Sequence, residues 1–314
     1  LSTDNLGALS SDQAKAIRTV QIEAMTSDQL NALSTDNMSA LSTLQIRAIE
    51  TDDLAQLTTT HIASMTSDQI RSLKLDQLNA LTSDQLQVFS SDEIAALRTV
   101  QVAAMSSDAI SALTTNQIQA METLDLRALS ADQFAALSTD HINALSSDQA
   151  KSLRTLQIEA MNSDQFNSLS SDNMAVLSTL QIRAIETDDL ASLTTDQIAS
   201  LTSDQSRSMK LDQLNALTSD QTRSLGSDNI SALRTVQVTN LGTDFLSALS
   251  SDQLAALETR DLRVLNTDQI QALNTDSLGA MTTEQTYSLK GFQFDALSSD
   301  QLNALNTENF SLIR

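Results

Sequence analysis

The sequence contains no cysteine, proline or tryptophan, and its 314 residues include only five glycines and 3% aromatic side chains. Without cysteine there is no disulfide framework and no thiolate metal site. A core must therefore be built from Leu, Ile, Ala and Met. No apolar run reaches the roughly 18 residues that a membrane-spanning helix needs, so the sequence predicts no membrane insertion.

Basic residues are also scarce. Eighteen Lys and Arg stand against 40 Asp and Glu, which gives a formal net charge of -22. Such a chain repels nucleic-acid phosphates and anionic membrane surfaces. The composition therefore predicts that nucleic acid is not a partner.

An eight-residue repeat fills the whole chain. Aligned on Leu1, its consensus is L-[ST]-[ST]-D-Q-[IL]-x-[AS], and the register runs to Ile313 without insertion or deletion. We number the places in each repeat as positions 1 to 8. Because a loop or domain boundary would break this register, we predict one continuous array over residues 1–314.

Each repeat carries the signals of a helix start. One continuous helix is excluded because eight residues overshoot two turns by roughly 80°. A strand is excluded because positions 1 and 6 would point to opposite faces. Position 2 is a preferred N-cap residue, and Gln at position 5 completes a capping box, as in Ser10 and Gln13. The pattern predicts one very short helix in each repeat.

Helices of this length are unstable alone, since about 12 residues are already marginal in water. They must be stabilised by stacking on one another. We therefore predict an all-α solenoid in which positions 1, 6 and 8 face a narrow interior, while Ser, Thr, Asp and Gln lie outside.

A longer period is superimposed on the repeat. At intervals of three or four repeats a charged residue replaces the capping residue, at Arg18, Glu50, Lys74, Arg98, Glu122, Arg154, Glu186, Lys210, Arg234, Glu258 and Lys290. The pattern recurs after seventeen repeats, which divides the chain into copy 1 (1–136), copy 2 (137–272) and a partial third copy (273–314). If each charge marks one angular position, five turns take seventeen repeats, or about 3.4 repeats and about 27 residues per turn. The alternative is duplication of blocks without regard to geometry.

The same repeats often carry an apolar residue in place of Asp at position 4. These residues are Val20, Val100, Leu124, Leu156, Val236 and Phe292, with Leu44 and Leu180 one repeat before their charged neighbours. We call the charged and apolar residues together the stripe. It is either a helix face that packs inward, which is the interpretation we favour, or a lateral contact surface. Opposite charges on neighbouring turns, such as Arg98 and Glu122, predict a ladder that sets register.

The sequence offers no reactive site. His61 and His141 replace Gln at position 5 with no nucleophile arranged around them, which predicts a solvated location, and no phosphate loop occurs. Asp recurs at position 4, as in Asp12 and Asp28, where the dipole of a helix N-terminus favours a negative charge. Ca²⁺ binding by these carboxylates is the alternative. Ser and Thr recur at positions 2 and 3; helix capping explains those at position 2, with ice binding and O-glycosylation as the alternatives. We predict no catalytic, cofactor-binding or metal-binding residue, and no enzyme activity.

Segments such as LTSDQLNAL, STDNMSAL and LRTVQIEAM resemble the L-[ST]-[ST]-x-Q-[IV]-x-A-L arrays of very large bacterial surface or secreted proteins. Some of those proteins are described as adhesion or haem-utilisation proteins. The resemblance covers the whole chain, which differs by its frequent Asp at position 4 and by lacking a haem-ligating pattern. It implies an extracellular or cell-surface location in a bacterium.

The unbroken register and the absence of a reactive site favour a structural protein, a fibre, stalk or filament subunit that associates with itself end to end and laterally. The alternative is an adhesion module in which the stripe recognises a protein or glycan.

Overall fold

The computed structural model describes residues 2–305; the end of the partial third copy, 306–314, lies outside them. Within residues 2–305 the secondary structure consists of 38 α-helices of four to six residues, with no strand. The chain forms two compact units, one ending at Ala160 and one beginning at Met161. Each is described by itself.

The helices of the first unit are α1 Thr3–Gly7, α2 Ser11–Lys15, α3 Thr19–Glu23, α4 Ser27–Asn31, α5 Thr35–Ala40, α6 Thr43–Arg47, α7 Thr51–Ala55, α8 Thr59–Ala63, α9 Ser67–Ser72, α10 Leu75–Ala80, α11 Ser83–Gln87, α12 Ser91–Ala96, α13 Thr99–Ala104, α14 Ser107–Ser111, α15 Thr115–Ala120, α16 Thr123–Ala128, α17 Ala131–Ala135, α18 Thr139–Asn143, α19 Ser147–Ser152 and α20 Thr155–Glu159.

Those of the second unit are α21 Ser163–Ser168, α22 Ser171–Val176, α23 Thr179–Ala184, α24 Thr187–Ser192, α25 Thr195–Ala199, α26 Ser203–Ser208, α27 Leu211–Ala216, α28 Ser219–Ser224, α29 Ser227–Ser231, α30 Thr235–Thr239, α31 Thr243–Ala248, α32 Ser251–Ala256, α33 Thr259–Leu262, α34 Thr267–Ala272, α35 Thr275–Gly279, α36 Thr283–Ser288, α37 Gly291–Ala296 and α38 Ser299–Ala304.

Every helix begins directly after position 2, as the capping signals predict. The Gln13 N–H donates to Ser10 Oγ at 3.3 Å, and the Ser10 N–H donates to Gln13 Oε1 at 2.9 Å. At an arginine or lysine cap only the second of these bonds remains, as between the Arg18 N–H and Gln21 Oε1 at 3.0 Å. The glutamine therefore holds the helix start even where the cap hydroxyl is missing.

Each helix ends before the next position 1 without a special backbone conformation. The Leu41 N–H donates to the Met38 carbonyl at 3.2 Å, and Leu41 is extended at φ -61° and ψ 141°. No residue within 2–305 has a positive φ. Since the chain reverses through ordinary extended and helical conformations, it needs almost no glycine.

Successive turns stack through helices three and four places apart. In the first unit α2 contacts α5 and α13 contacts α16, and in the second α29 contacts α32. Hydrogen bonds reach four helices back: Gln45 Nε2 donates to the Ala14 carbonyl at 2.9 Å and to the Ile17 carbonyl at 2.7 Å. A turn thus takes between three and four repeats, a range that includes the value of about 3.4 predicted from the spacing of the charged caps. The prediction of an all-α solenoid is confirmed.

The core consists of positions 1, 5 and 6, which corrects the predicted core in two places. Position 5 was expected outside, yet Gln77 and Gln213 are fully buried. The reason is that their amides donate to carbonyls of an earlier turn, including those of Ile49 and Ile185, which accept no backbone hydrogen bond. Position 8 was expected inside, but most of its residues are half-buried or exposed, with Ala184 and Ala248 buried.

Candidate interaction surface

The stripe residues all lie on the outside of the solenoid. Each charged member is the N-cap residue of its helix and is exposed, and where an apolar member accompanies it, that residue stands two places later on the same helix. Because position 4 lies in the first turn on the side away from the buried positions 5 and 6, its side chain points to solvent.

The prediction that the apolar stripe residues pack inward is wrong. In the first unit their exposed fractions are 61% for Val20, 68% for Leu44, 55% for Val100, 62% for Leu124 and 58% for Leu156. The second unit shows the same exposure, 66% for Leu180, 63% for Val236 and 46% for Phe292. The structure adds Leu75, which is 40% exposed at position 3 of its repeat. Isolated exposed aliphatic residues are ordinary, but one on nearly every turn is a patterned surface.

Within each unit the stripe repeats are neighbours. Helices α10, α13 and α16 contact in sequence. Steps of four repeats are bridged by glutamine: Gln77 of α10 donates to the Ile46 carbonyl of α6 at 3.0 Å, and Gln157 of α20 donates to the Leu126 carbonyl of α16 at 2.8 Å. The stripe residues therefore occupy one edge of successive turns.

The predicted ladder of opposite charges does not form ion pairs. Among residues 2–305 the ion pairs join Arg223 to Asp220, and Arg260 to both Glu258 and Asp261. Three of the four arginine caps, Arg18, Arg98 and Arg234, instead bind their own glutamine, as Arg98 Nε does to Gln101 Oε1 at 3.1 Å. A long side chain on a short helix finds this local acceptor without losing the entropy that an ion pair between turns would cost.

Both histidines are buried, so the prediction of a solvated location is wrong. His141 is 5% exposed; its Nδ1 accepts from the Ser138 N–H at 3.2 Å, and its Nε2 lies 2.7 Å from the Leu113 carbonyl oxygen. His61 Nε2 makes the same contact with the Leu33 carbonyl at 2.7 Å. A neutral imidazole has one acceptor and one donor and can replace the glutamine amide. The histidines are structural.

Four acidic residues at position 5 accompany the glutamate caps: Asp53, Asp125, Asp189 and Asp261. Burial raises the pKa of the Asp125 carboxyl, a hydrogen bond with the Thr99 side chain lowers it, and the charge of Glu122 raises it further. Thr235 Oγ1 donates to Asp261 Oδ1 at 2.6 Å, so copy 2 has the same hydroxyl partner. Residues 2–305 contain no group of three or more His, Asp or Glu placed to hold a metal ion.

Two features were missed by the sequence analysis. The first is a role for asparagine at position 7. Asn79 Nδ2 donates to the Ala104 carbonyl at 2.8 Å, and Asn79 Oδ1 accepts from the Ser106 N–H at 3.0 Å. The repeat that Ser106 caps has Ala109 at position 5 and cannot close its own capping box. Asn215 acts in the same way in the second unit. The sequence carries a signal for this role: an Asn at position 7 of one repeat, and no Gln at position 5 of the repeat four places later.

The second missed feature is a cluster of arginines in the second unit. Arg183 and Arg207, both at position 7, line one surface depression together with the cap residue Arg234. The sequence analysis included only Arg234. The signal was the spacing, because Arg207 follows Arg183 by three repeats and Arg234 follows Arg207 by slightly more than three, each close to one turn.

No helix within residues 2–305 has the length and apolar character that crossing a bilayer requires. A family model described as the ALTTAQ repeat matches residues 15–43, 46–83, 86–123, 118–155, 182–219 and 254–291, more than half of the chain. No curated protein matches the sequence. From the register of the repeats and these matches, the chain belongs to the ALTTAQ repeat family.

Proposed function

We propose that this chain is a structural protein, a thin and stiff solenoid that serves as a fibre, stalk or filament subunit outside a bacterial cell. The observation that carries the proposal is the row of buried position-5 glutamines that donate to carbonyls of an earlier turn, which we call the glutamine ladder. Gln213 Nε2 donates to the Ile182 carbonyl at 2.9 Å and to the Ile185 carbonyl at 2.8 Å, and equivalent bonds recur through both units. Bending would open buried hydrogen bonds between turns, so the array resists it.

Association end to end is part of this proposal. Equivalent turns recur in both units, since Gln45 Nε2 donates to the Ala14 carbonyl and Gln213 Nε2 donates to the Ile182 carbonyl. A second molecule therefore carries the same stacking elements. The partner in this proposal is therefore the chain itself, and the acidic surface keeps the resulting filaments apart in solution.

Electron microscopy of the purified protein tests this function. We expect rods or filaments, and their length should fall in a Gln77→Glu, Gln213→Glu variant, because each new carboxylate would face a buried carbonyl of an earlier turn. The control is Gln119→Glu, Gln271→Glu, which adds the same charge at exposed position-7 glutamines. Compact globules from the unmodified protein would refute the structural role.

A second candidate function is favoured by the exposed stripe. Val100 and Val236 are more than half exposed next to the arginine caps Arg98 and Arg234. Such a mixture of apolar and charged residues suits a lateral contact or a binding surface. Arg98→Glu with Arg234→Glu should reduce bundling or ligand binding while circular dichroism stays unchanged. Unchanged association would refute this role.

A further inference from the structure

The arginine cluster of the second unit lies in a depression of about 340 Å³. Six residues line it: Thr179, Arg183, Asp204, Arg207, Ser208 and Arg234. All three guanidinium groups belong to exposed residues, and the depression also contains two hydroxyl groups and one carboxylate. It therefore offers several donors and one strong acceptor within a small volume.

The solenoid brings these arginines together from three successive turns. Helix α23, which carries Arg183, packs on α26, which carries Arg207. Helix α30 follows Arg234, and its Gln237 Nε2 donates to the Met209 carbonyl at the end of α26 at 2.9 Å. Because the turns are fixed by buried hydrogen bonds, the backbone positions of the cluster are fixed as well.

The positive charge of the cluster is not neutralised by an ion pair. None of the ion pairs within residues 2–305 involves Arg183, Arg207 or Arg234. Only Arg234 has a side-chain hydrogen bond, from Nε to Gln237 Oε1 at 3.3 Å. In a chain with 40 acidic residues, three arginines in one depression that form no ion pair are donors of the kind that bind an oxyanion.

We propose that this depression binds the carboxylate of an acidic sugar at the end of a glycan. The proposal rests on the second candidate function, in which the array is a binding module. The guanidinium groups would hold the carboxylate, while Asp204 accepts and Thr179 and Ser208 exchange hydrogen bonds with sugar hydroxyls. A polyanion fits less well, because the net charge of -22 repels it whereas a single carboxylate suffers little repulsion.

The same six residue types recur at the equivalent places of copy 1, in the first unit, as Thr43, Arg47, Asp68, Arg71, Ser72 and Arg98. Helix α6, with Arg47, packs on α9, with Arg71, as α23 packs on α26. We therefore expect two sites in the chain. Weak single-site affinity would be raised when a glycan-covered surface engages both.

Saturation-transfer NMR with methyl glucuronide as the probe tests the site. The full chain is compared with a variant carrying Arg47→Ala, Arg71→Ala, Arg183→Ala and Arg207→Ala. Each loses an exposed position-7 side chain, so folding should not change. The matched control carries Lys15→Ala, Arg127→Ala, Lys151→Ala and Arg263→Ala, which removes the same charge from exposed position-7 sites elsewhere.

We expect binding of methyl glucuronide to the unmodified chain and to the control, and binding at least about tenfold weaker in the cluster variant, since two charge-assisted donors are lost at each site. Neutral methyl glucoside should not bind. Equal affinity for acetate, equal loss in the control, no binding at all, or tighter binding of heparin would each overturn the assignment. Electron microscopy of the cluster variant reports separately on the structural role, because rods should persist.

Discussion

Copy 1 and copy 2 differ at a position that is buried in both. Copy 1 has Ile70 and Leu86 at position 6, whereas copy 2 has Ser206 and Thr222. All four side chains are at most 1% exposed. The Ser206 and Thr222 hydroxyl oxygens are buried without a hydrogen-bond partner within the described residues. Copy 2 therefore carries two polar groups in an apolar core, a costly arrangement.

The glutamine next to each changed residue makes the same bonds in both copies. Gln69 Nε2 donates to the Leu41 carbonyl at 2.7 Å, and Gln205 Nε2 donates to the Leu177 carbonyl at 2.8 Å. Helices α9 and α26 are both six residues long. The difference teaches that the directional amide bonds fix the geometry of the turn, while the apolar side chain at position 6 contributes stability.

The largest effect is expected when copy 1 is given the core residue of copy 2. Ile70→Ser should lower the free energy of unfolding by about 4 kcal/mol, because the burial of a large side chain is lost and a hydroxyl is left unpaired. Hydrogen exchange measured by mass spectrometry should show faster exchange in the peptide that covers α9. Exchange rates unchanged there would mean that copy 1 does not depend on this contact.

Removal of the ladder should affect both copies equally. Gln77→Ala and Gln213→Ala each remove two buried hydrogen bonds and leave one carbonyl, that of Ile49 or Ile185, without a donor, which should cost about 3 kcal/mol in either copy. Urea unfolding of the two variants measures the effect. Both repeats keep Leu at position 6, so the two variants should lose the same free energy of unfolding. A large difference between them would show that the glutamine ladder does not stabilise both copies in the same way.

The reverse core exchange should stabilise copy 2. Ser206→Ile buries an apolar side chain and removes an unpaired hydroxyl, for an expected gain of about 2 kcal/mol in the free energy of unfolding. Thermal unfolding followed by circular dichroism provides the measurement. A loss of stability would instead indicate that the turn has closed around the small residue and is overpacked by isoleucine.

The smallest effect concerns Asp125. Because burial raises its pKa in the folded state above the usual 3.8, its contribution to stability is greatest below that pH and is lost as pH rises through the folded pKa. Asp125→Asn should therefore stabilise the chain by about 1 kcal/mol at neutral pH and by less in acid. Asn229 shows that a buried asparagine fits at position 5, since its Nδ2 donates to the Leu201 carbonyl at 2.8 Å.

The measurement for Asp125 is the difference between variant and unmodified chain in urea unfolding at several pH values, which cancels the titration of the other acidic residues. A difference that does not change with pH would contradict the role of the buried carboxyl.

Much of the fold was predictable because its signals are local. The residues that set each helix boundary, such as Ser10 and Gln13, lie within one repeat, so the sequence indicates in order all 38 helix starts found within residues 2–305. The burial of position 5 was not predictable in this way. A glutamine that caps its own helix can lie inside or outside, and only the carbonyls four repeats earlier decide between the two.

The candidate surface was predicted in part. The period of the charged caps placed the stripe on one edge of the turns, but the amphipathic pattern did not tell whether Val20 or Leu124 packs inward. The arginine cluster was missed because Arg183 and Arg207 belong to different turns, and their meeting depends on how many repeats one turn takes.

The amino-acid sequence by itself determined that each repeat within the described residues forms a short capped helix and that no such helix can stand alone, because capping and propensity act within a few neighbouring residues. Only the tertiary structure decided which polar side chains are buried and which apolar ones are exposed. That outcome depends on donors and acceptors in adjacent turns, three or four repeats away along the chain, as Gln45 and the Ala14 carbonyl illustrate.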